Sequence, residues 1–145
     1  MTRRRALASL LPLLLATTPL AAQGHARRHR SPPRTAAGPV QLRLVRTERA
    51  SAADAGRALP TVLPAVARCV EVARGVDPAS LAALRRLDVV VSLTLGGRAT
   101  AVEIDPPVVA RGLSACLGDA LLTWRQGGVS HPRAAVYLTL ALRAP

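Results

Sequence analysis

Apolar residues along the chain recur with two periods, and the change from one to the other divides it into elements. Residues 87–105, "LDVVVSLTLGGRATAVEID", form two alternating runs on either side of a pair of glycines. Val89, Val91, Leu93 and Leu95 take turns with Val90, Ser92 and Thr94. After the glycines, Thr100, Val102 and Ile104 take turns with Ala99, Ala101 and Glu103. A period of two is the mark of a strand with one buried face. Gly96-Gly97 reads as a two-residue hairpin connection, since glycine tolerates the positive backbone angles a tight hairpin needs. Asp105-Pro106-Pro107 ends the second strand, because proline cannot donate to the ladder. "AAVYLTLAL", residues 134–142, alternates again, with Val136, Leu138, Leu140 and Leu142 on one face and Tyr137 and Thr139 on the other. "VQLRLVR", residues 40–46, has Val40, Leu42 and Leu44 in phase and reads as a short strand or a lead-in segment.

Two other stretches repeat every three or four residues, the spacing of an amphipathic helix. In residues 51–74, Ser51 is placed to cap a first turn. Pro60 and Pro64 predict a bend or a restart at Thr61, and Val62, Val66, Cys69, Val70 and Ala73 then form an apolar stripe that Gly75 ends. "LSACLGDALLTW", residues 113–124, puts Leu113, Cys116, Leu117, Ala120, Leu121 and Trp124 on one stripe, with Gly127-Gly128 as the stop. "DPASLAALRR" between helix and hairpin reads as a turn with at most one helical turn.

The order helix, strand, strand, helix, strand predicts an α+β fold: a three-stranded antiparallel sheet with two helices packed on one face. A right-handed return sets the last strand antiparallel beside the first hairpin strand, at the sheet edge. Val136, Tyr137, Leu138 and Thr139 then become a candidate partner-binding strand, since no proline or charge guards residues 134–142 against pairing. The mildly apolar open face around Tyr137 is the other candidate surface. Trp124, the chain's only tryptophan, is expected to anchor a core of small aliphatic side chains.

The N-terminus has the form of an export signal over residues 1–22. "MTRRR" precedes an apolar run broken by Pro12 and Pro19, with small residues offering cleavage at 22–26. A periplasmic or secreted location follows, with an uncleaved inner-membrane anchor as the alternative. Residues 23–39 are rich in Arg, Pro and small residues and are expected to be a disordered linker. The domain is then 40–145, with its core at about 58–143. Export changes the meaning of the two cysteines, because an oxidising compartment favours a disulfide. Cys69 and Cys116 both lie on helix stripes facing one sheet, so a bridge between them would tie helix to helix. Two buried free thiols are the alternative.

Charge alters this picture little. Every basic residue is Arg, and the net charge is +12. More than half of that excess comes from Arg3, Arg4 and Arg5 in the signal and Arg27, Arg28, Arg30 and Arg34 in the linker. The linker arginines are candidates for polyanion contact, which would make the domain a structural envelope element. With no stacking aromatics beside the charge, nucleic acid is not an expected partner. Chemistry is sparse. There is no phosphate loop, no Cys-x-x-Cys and no His-Glu-x-x-His, so no catalytic residue, metal or cofactor is expected. A small secreted enzyme or ligand carrier is the alternative from another class, and it would require a concave pocket with converging polar groups.

The succession "VLPAVARCVEVA", "VVVSLTLGGRATAVEI", "LSACLGDALLTW" and "AVYLTLAL" resembles the C-terminal domain of TonB-type proteins. It is closer still to the AgmX/PglI C-terminal domain of gliding-motility-associated envelope proteins. The likeness spans about residues 58–143. It departs in "RQGG" after the tryptophan, where the family has an aromatic-proline pair, and in a shorter hairpin turn. The resemblance implies a non-enzymatic envelope protein that captures a protein or an extended peptide on a sheet edge.

Overall fold

The structure is a computed structural model; it describes residues 34–38, 40–105, 110 and 112–143. All of these belong to one contact unit, Ser31–Pro145. In chain order the elements are β1 (Arg34–Ala37), β2 (Val40–Glu48), α1 (Ala52–Val76), α2 (Pro78–Ala83), β3 (Arg86–Leu93), β4 (Ala99–Asp105), α3 (Leu113–Leu122) and β5 (Ala134–Leu142). The α+β class is as expected, and so is the helix–strand–strand–helix–strand order within it. The three-stranded sheet is not. Four long strands and the short β1 form one antiparallel sheet in the order β1-β2-β5-β3-β4. The alternation at 40–46 is therefore a full strand. The sheet also takes in Arg34–Ala37, against the expectation of a disordered linker over 23–39; residues 1–33, which include the expected export signal, lie outside the described residues.

Helix α1 corrects the expected break. Ser51 is its N-cap, with the side chain accepting from the Asp54 N–H, and the helix runs on through Pro60 and Pro64. Each proline removes one ladder hydrogen bond and presses on the carbonyl four residues earlier. Here both prolines are exposed and four apart, so both defects fall on the solvent face. The opposite stripe, from Ala55 through Leu59, Val62, Val66 and Val70 to Ala73, is buried along the whole length. Burial of that stripe holds the helix continuous across the two gaps. Helix α2 is a third, short helix, capped by the Asp77 side chain on the Ser80 N–H.

One face of the sheet carries the core. Val40, Leu42 and Leu44 of β2, Leu87, Val89, Val91 and Leu93 of β3, and Val136, Leu138 and Leu140 of β5 are all buried under α1 and α3. Cys69 of α1 and Cys116 of α3 form a disulfide, 47 residues apart in sequence, with Cα atoms 5.6 Å apart. Cys69 is buried and Cys116 half-buried, so the bridge closes the outer side of the helix pair. Trp124 is fully buried, as expected for the core anchor, but lies beyond the end of α3, after the C-cap Thr123. Its indole N–H donates to Gln126 Oε1 at 2.8 Å, which satisfies its one polar atom.

The hairpin between β3 and β4 is one residue longer than predicted. The Thr94 N–H donates to Arg98 O at 3.0 Å and the Gly97 N–H to Thr94 O at 2.9 Å, so Leu95–Gly97 form a three-residue loop. Its third residue, Gly97, has φ +69°, the left-handed residue that completes such a loop. A second constraint acts on the same glycine. A Cβ there would stand 1.7 Å from the carbonyl oxygen of Gln126, because the segment after Trp124 crosses directly over the turn.

Candidate interaction surface

Strand β5 is not an edge. Its register pairs it on one side with β2, from Leu142 opposite Val40 to Ala135 opposite Glu48, and on the other with β3, from Ala141 opposite Arg86 to Ala134 opposite Leu93. Its backbone groups are thus used on both sides. Val136 and Leu138 are buried under the helices. The expectation that Val136, Tyr137, Leu138 and Thr139 offer a strand for partner addition is therefore overturned. The cause is β2, whose nine residues cover the side that a three-stranded sheet would have left open. The other two residues remain relevant by their side chains, since Tyr137 and Thr139 point to the sheet face away from the helices.

That open face is organised by the cross-strand register. Arg43, Thr139, Asp88 and Asp105 make one row, and Arg46, Tyr137, Val90 and Glu103 the next. In the second row the Arg46 guanidinium lies 3.6 Å from the centre of the Tyr137 ring, a cation–π contact. The Tyr137 hydroxyl donates to Glu48 at 3.1 Å, and Arg46 forms an ion pair with the same carboxylate. Arg46 holds the Glu48 carboxyl below the usual carboxylate range, with the Tyr137 hydroxyl adding to the effect. Glu48 in turn raises Arg46. In the first row Thr139 donates to Asp88 at 2.9 Å, and Arg86 donates to the same oxygen from Nε at 3.0 Å and from a terminal nitrogen at 2.9 Å. Asp88 is likewise held low, by Arg86 first and Thr139 second. Between the two clusters is a shallow depression of about 260 Å³ lined in part by Arg46, Asp88, Val90 and Tyr137.

A bulge places Arg46 in this cluster. Strict alternation from Val40 would put Arg46 on the same face as Leu44, in the core. The register shifts between Leu44 and Arg46, so Val45 is the extra residue and Arg46 comes opposite Tyr137. Sequence reading identified Tyr137 but missed its partners. A signal was there: Arg46-x-Glu48 and Arg86-x-Asp88 set opposite charges two apart in alternating segments, hence on one strand face.

Two sheet edges remain, β1 and β4. Strand β1 spans four residues, and of the candidate polyanion contacts only Arg34 falls in it; Arg27, Arg28 and Arg30 lie outside the described residues. Strand β4 spans seven residues and pairs only with β3 among the described strands. Its first residue is covered, since the Ala99 N–H donates to Trp124 O at 3.3 Å. From Thr100 onward the strand is half-buried or exposed. Glu103 and Asp105 are exposed on the open face, and neither forms an ion pair with a described residue. Among the described residues there is no His/Cys/Asp/Glu cluster able to hold a metal, and no helix long and apolar enough to cross a membrane. Comparison with protein-family models, curated proteins and solved structures finds no match.

Proposed function

We propose that the chain is an exported, non-enzymatic binding module that takes up an extended basic peptide on the outer edge of β4. The observation that carries this reading is a seven-residue edge strand whose two charged side chains, Glu103 and Asp105, share the open face in a chain of net charge +12. A strand added there would gain main-chain hydrogen bonds for affinity, with alternate side chains reading the face. Arg or Lys at two positions spaced i, i+2 in the peptide would meet Glu103 and Asp105. The envelope setting rests on the signal-like N-terminus, with the Cys69–Cys116 disulfide in keeping with an oxidising compartment. The likeness to TonB and AgmX/PglI C-terminal domains belongs to the same proposal, with strand capture moved from β5 to β4.

The test uses proline. Successive backbone N–H groups in a strand point to opposite sides, so of Ala101→Pro and Val102→Pro one removes an outward donor and the other a bond to β3. The variant that keeps the wild-type circular dichroism and melting temperature is the outward one. It should lose binding of a synthetic peptide alternating Arg with Val or Thr, as should Glu103→Lys with Asp105→Lys. Undiminished peptide binding by both folded variants would overturn the reading.

A further inference from the structure

A cavity lies on the helix-covered side of the sheet, at the end where β3 begins and β5 finishes. The last turns of α1, helix α2 and the C-terminal end of β5 enclose its volume of about 400 Å³, within the range of small-molecule pockets. Its walls are apolar: Val70 and Leu81 are buried, and Leu84 and Leu142 are half-buried. Its charged lining is Arg74, Arg85 and Arg143, with no carboxylate among the lining residues. Arg74 shares its charge with Glu71 at 3.1 Å. Arg85 and Arg143 are exposed and form no ion pair with a described residue. The cavity is held in shape by the backbone, since the Leu142 N–H donates to Arg85 O at 3.1 Å and so ties the end of β5 to the segment leaving α2.

We infer that this cavity binds an amphipathic monoanion, an aliphatic body seated against Val70, Leu81, Leu84 and Leu142 with a carboxylate between the guanidinium groups of Arg85 and Arg143. An apolar chamber alone would not select a head group. Two exposed arginines in the lining, Arg85 and Arg143, without an acidic residue among the lining side chains, favour an anion, and the planar fork of arginine matches a carboxylate. The site is independent of the β4 edge, so either assignment can fail without the other.

The probe is sodium decanoate, titrated below its micellar concentration into the whole domain at physiological salt and followed by calorimetry. One decanoate per chain is expected to bind. Affinity should rise about fourfold for each methylene added from hexanoate to decanoate, the value of a buried methylene. Acetate, which lacks the body, and decyltrimethylammonium, which reverses the charge, should bind at least tenfold more weakly than decanoate. Arg85→Gln with Arg143→Gln changes only exposed side chains and should weaken decanoate about tenfold or more with the melting temperature kept. Ala82→Phe, which fills the cavity from an exposed wall position, should also abolish binding. Equal binding of decyltrimethylammonium, or decanoate binding unchanged in both variants, would overturn the assignment. So would binding confined to phosphatidylglycerol vesicles with none to free decanoate, since the cavity would then be a membrane contact.

Discussion

The Cys69–Cys116 bridge makes a quantitative claim on stability. It closes a loop with a sequence separation of 47. On the chain-entropy account, a cross-link of that span removes about 4 kcal/mol worth of freedom from the unfolded chain. That is a large share of the ~5–15 kcal/mol by which domains are stable. The replacement Cys69→Ala with Cys116→Ala should therefore lose about 4 kcal/mol in urea unfolding followed by circular dichroism. Its melting temperature should fall by roughly 15–25 °C. The slope of the urea transition should rise, because an unfolded chain without the cross-link exposes more surface. Either single replacement should cost nearly as much as both together, since each removes the whole bridge. Wild type in strong reductant should match the double variant. Should the double variant lose less than about 1 kcal/mol with an unchanged slope, the entropic reasoning would be refuted, and the helix pair would be held by its packing alone.

Trp124 is fully buried with its indole N–H satisfied, so Trp124→Ala should cost about 3–5 kcal/mol, and the chain's single tryptophan should show blue-shifted, poorly quenched fluorescence until unfolding. Gly97→Ala should cost about 2 kcal/mol or more through left-handed strain and the clash with Gln126 O, whereas Gly96→Ala, whose nearest neighbour would be 3.8 Å away, should change stability by less than about 0.5 kcal/mol; denaturant midpoints of the two variants check this. Glu48 and Asp88 both have lowered folded-state pKa values, through Arg46 and Arg86 respectively. Their contribution to stability is thus present above the unfolded carboxylate range, near pH ~4, and is lost as pH falls through the folded values. Carboxyl NMR titration should find both midpoints below those of ordinary carboxylates, and Arg46→Ala should move that of Glu48 upward; an unmoved midpoint would deny the ion pair.

The parts of this fold legible in the sequence are those in which one period holds without interruption. Strands β3 and β5 alternate cleanly, β4 does so from Ala101 onward, and the stripe from Val62 to Ala73 recurs at helical spacing, because each packs one face against the same core. The phase of both cysteines with the helix stripes allows a bridge or two buried thiols; the structure shows the bridge, with Cys116 only half-buried. The prolines of α1 misled because their local cost is fixed by sequence while the compensating burial of Ala55 and Leu59 is tertiary. The edge assignment of β5 failed for a similar reason. Pairing of β2 with β5 joins residues nearly a hundred positions apart, and no local pattern reports which strand lies beside which.

The candidate surfaces divide the same way. Some faces came from the chain alone, Tyr137 and Thr139 outward and Val136 and Leu138 inward, but Glu103 and Asp105, expected on opposite strand faces, share the open face through the pairing of β4 with β3. The bulge at Val45 is what turned Arg46 out of the core and over the Tyr137 ring, and it exists only relative to a partner strand. The apolar cavity lined by Arg74, Arg85 and Arg143 likewise joins residues 70–85, from α1 through α2, to the end of β5 more than fifty residues away. By itself the sequence determined which side of each element is apolar, since that depends on neighbours a few residues away. Tertiary structure alone decided which edges are free and where a concavity opens, since those depend on contacts between distant segments whose loop-closure cost leaves no trace in local pattern.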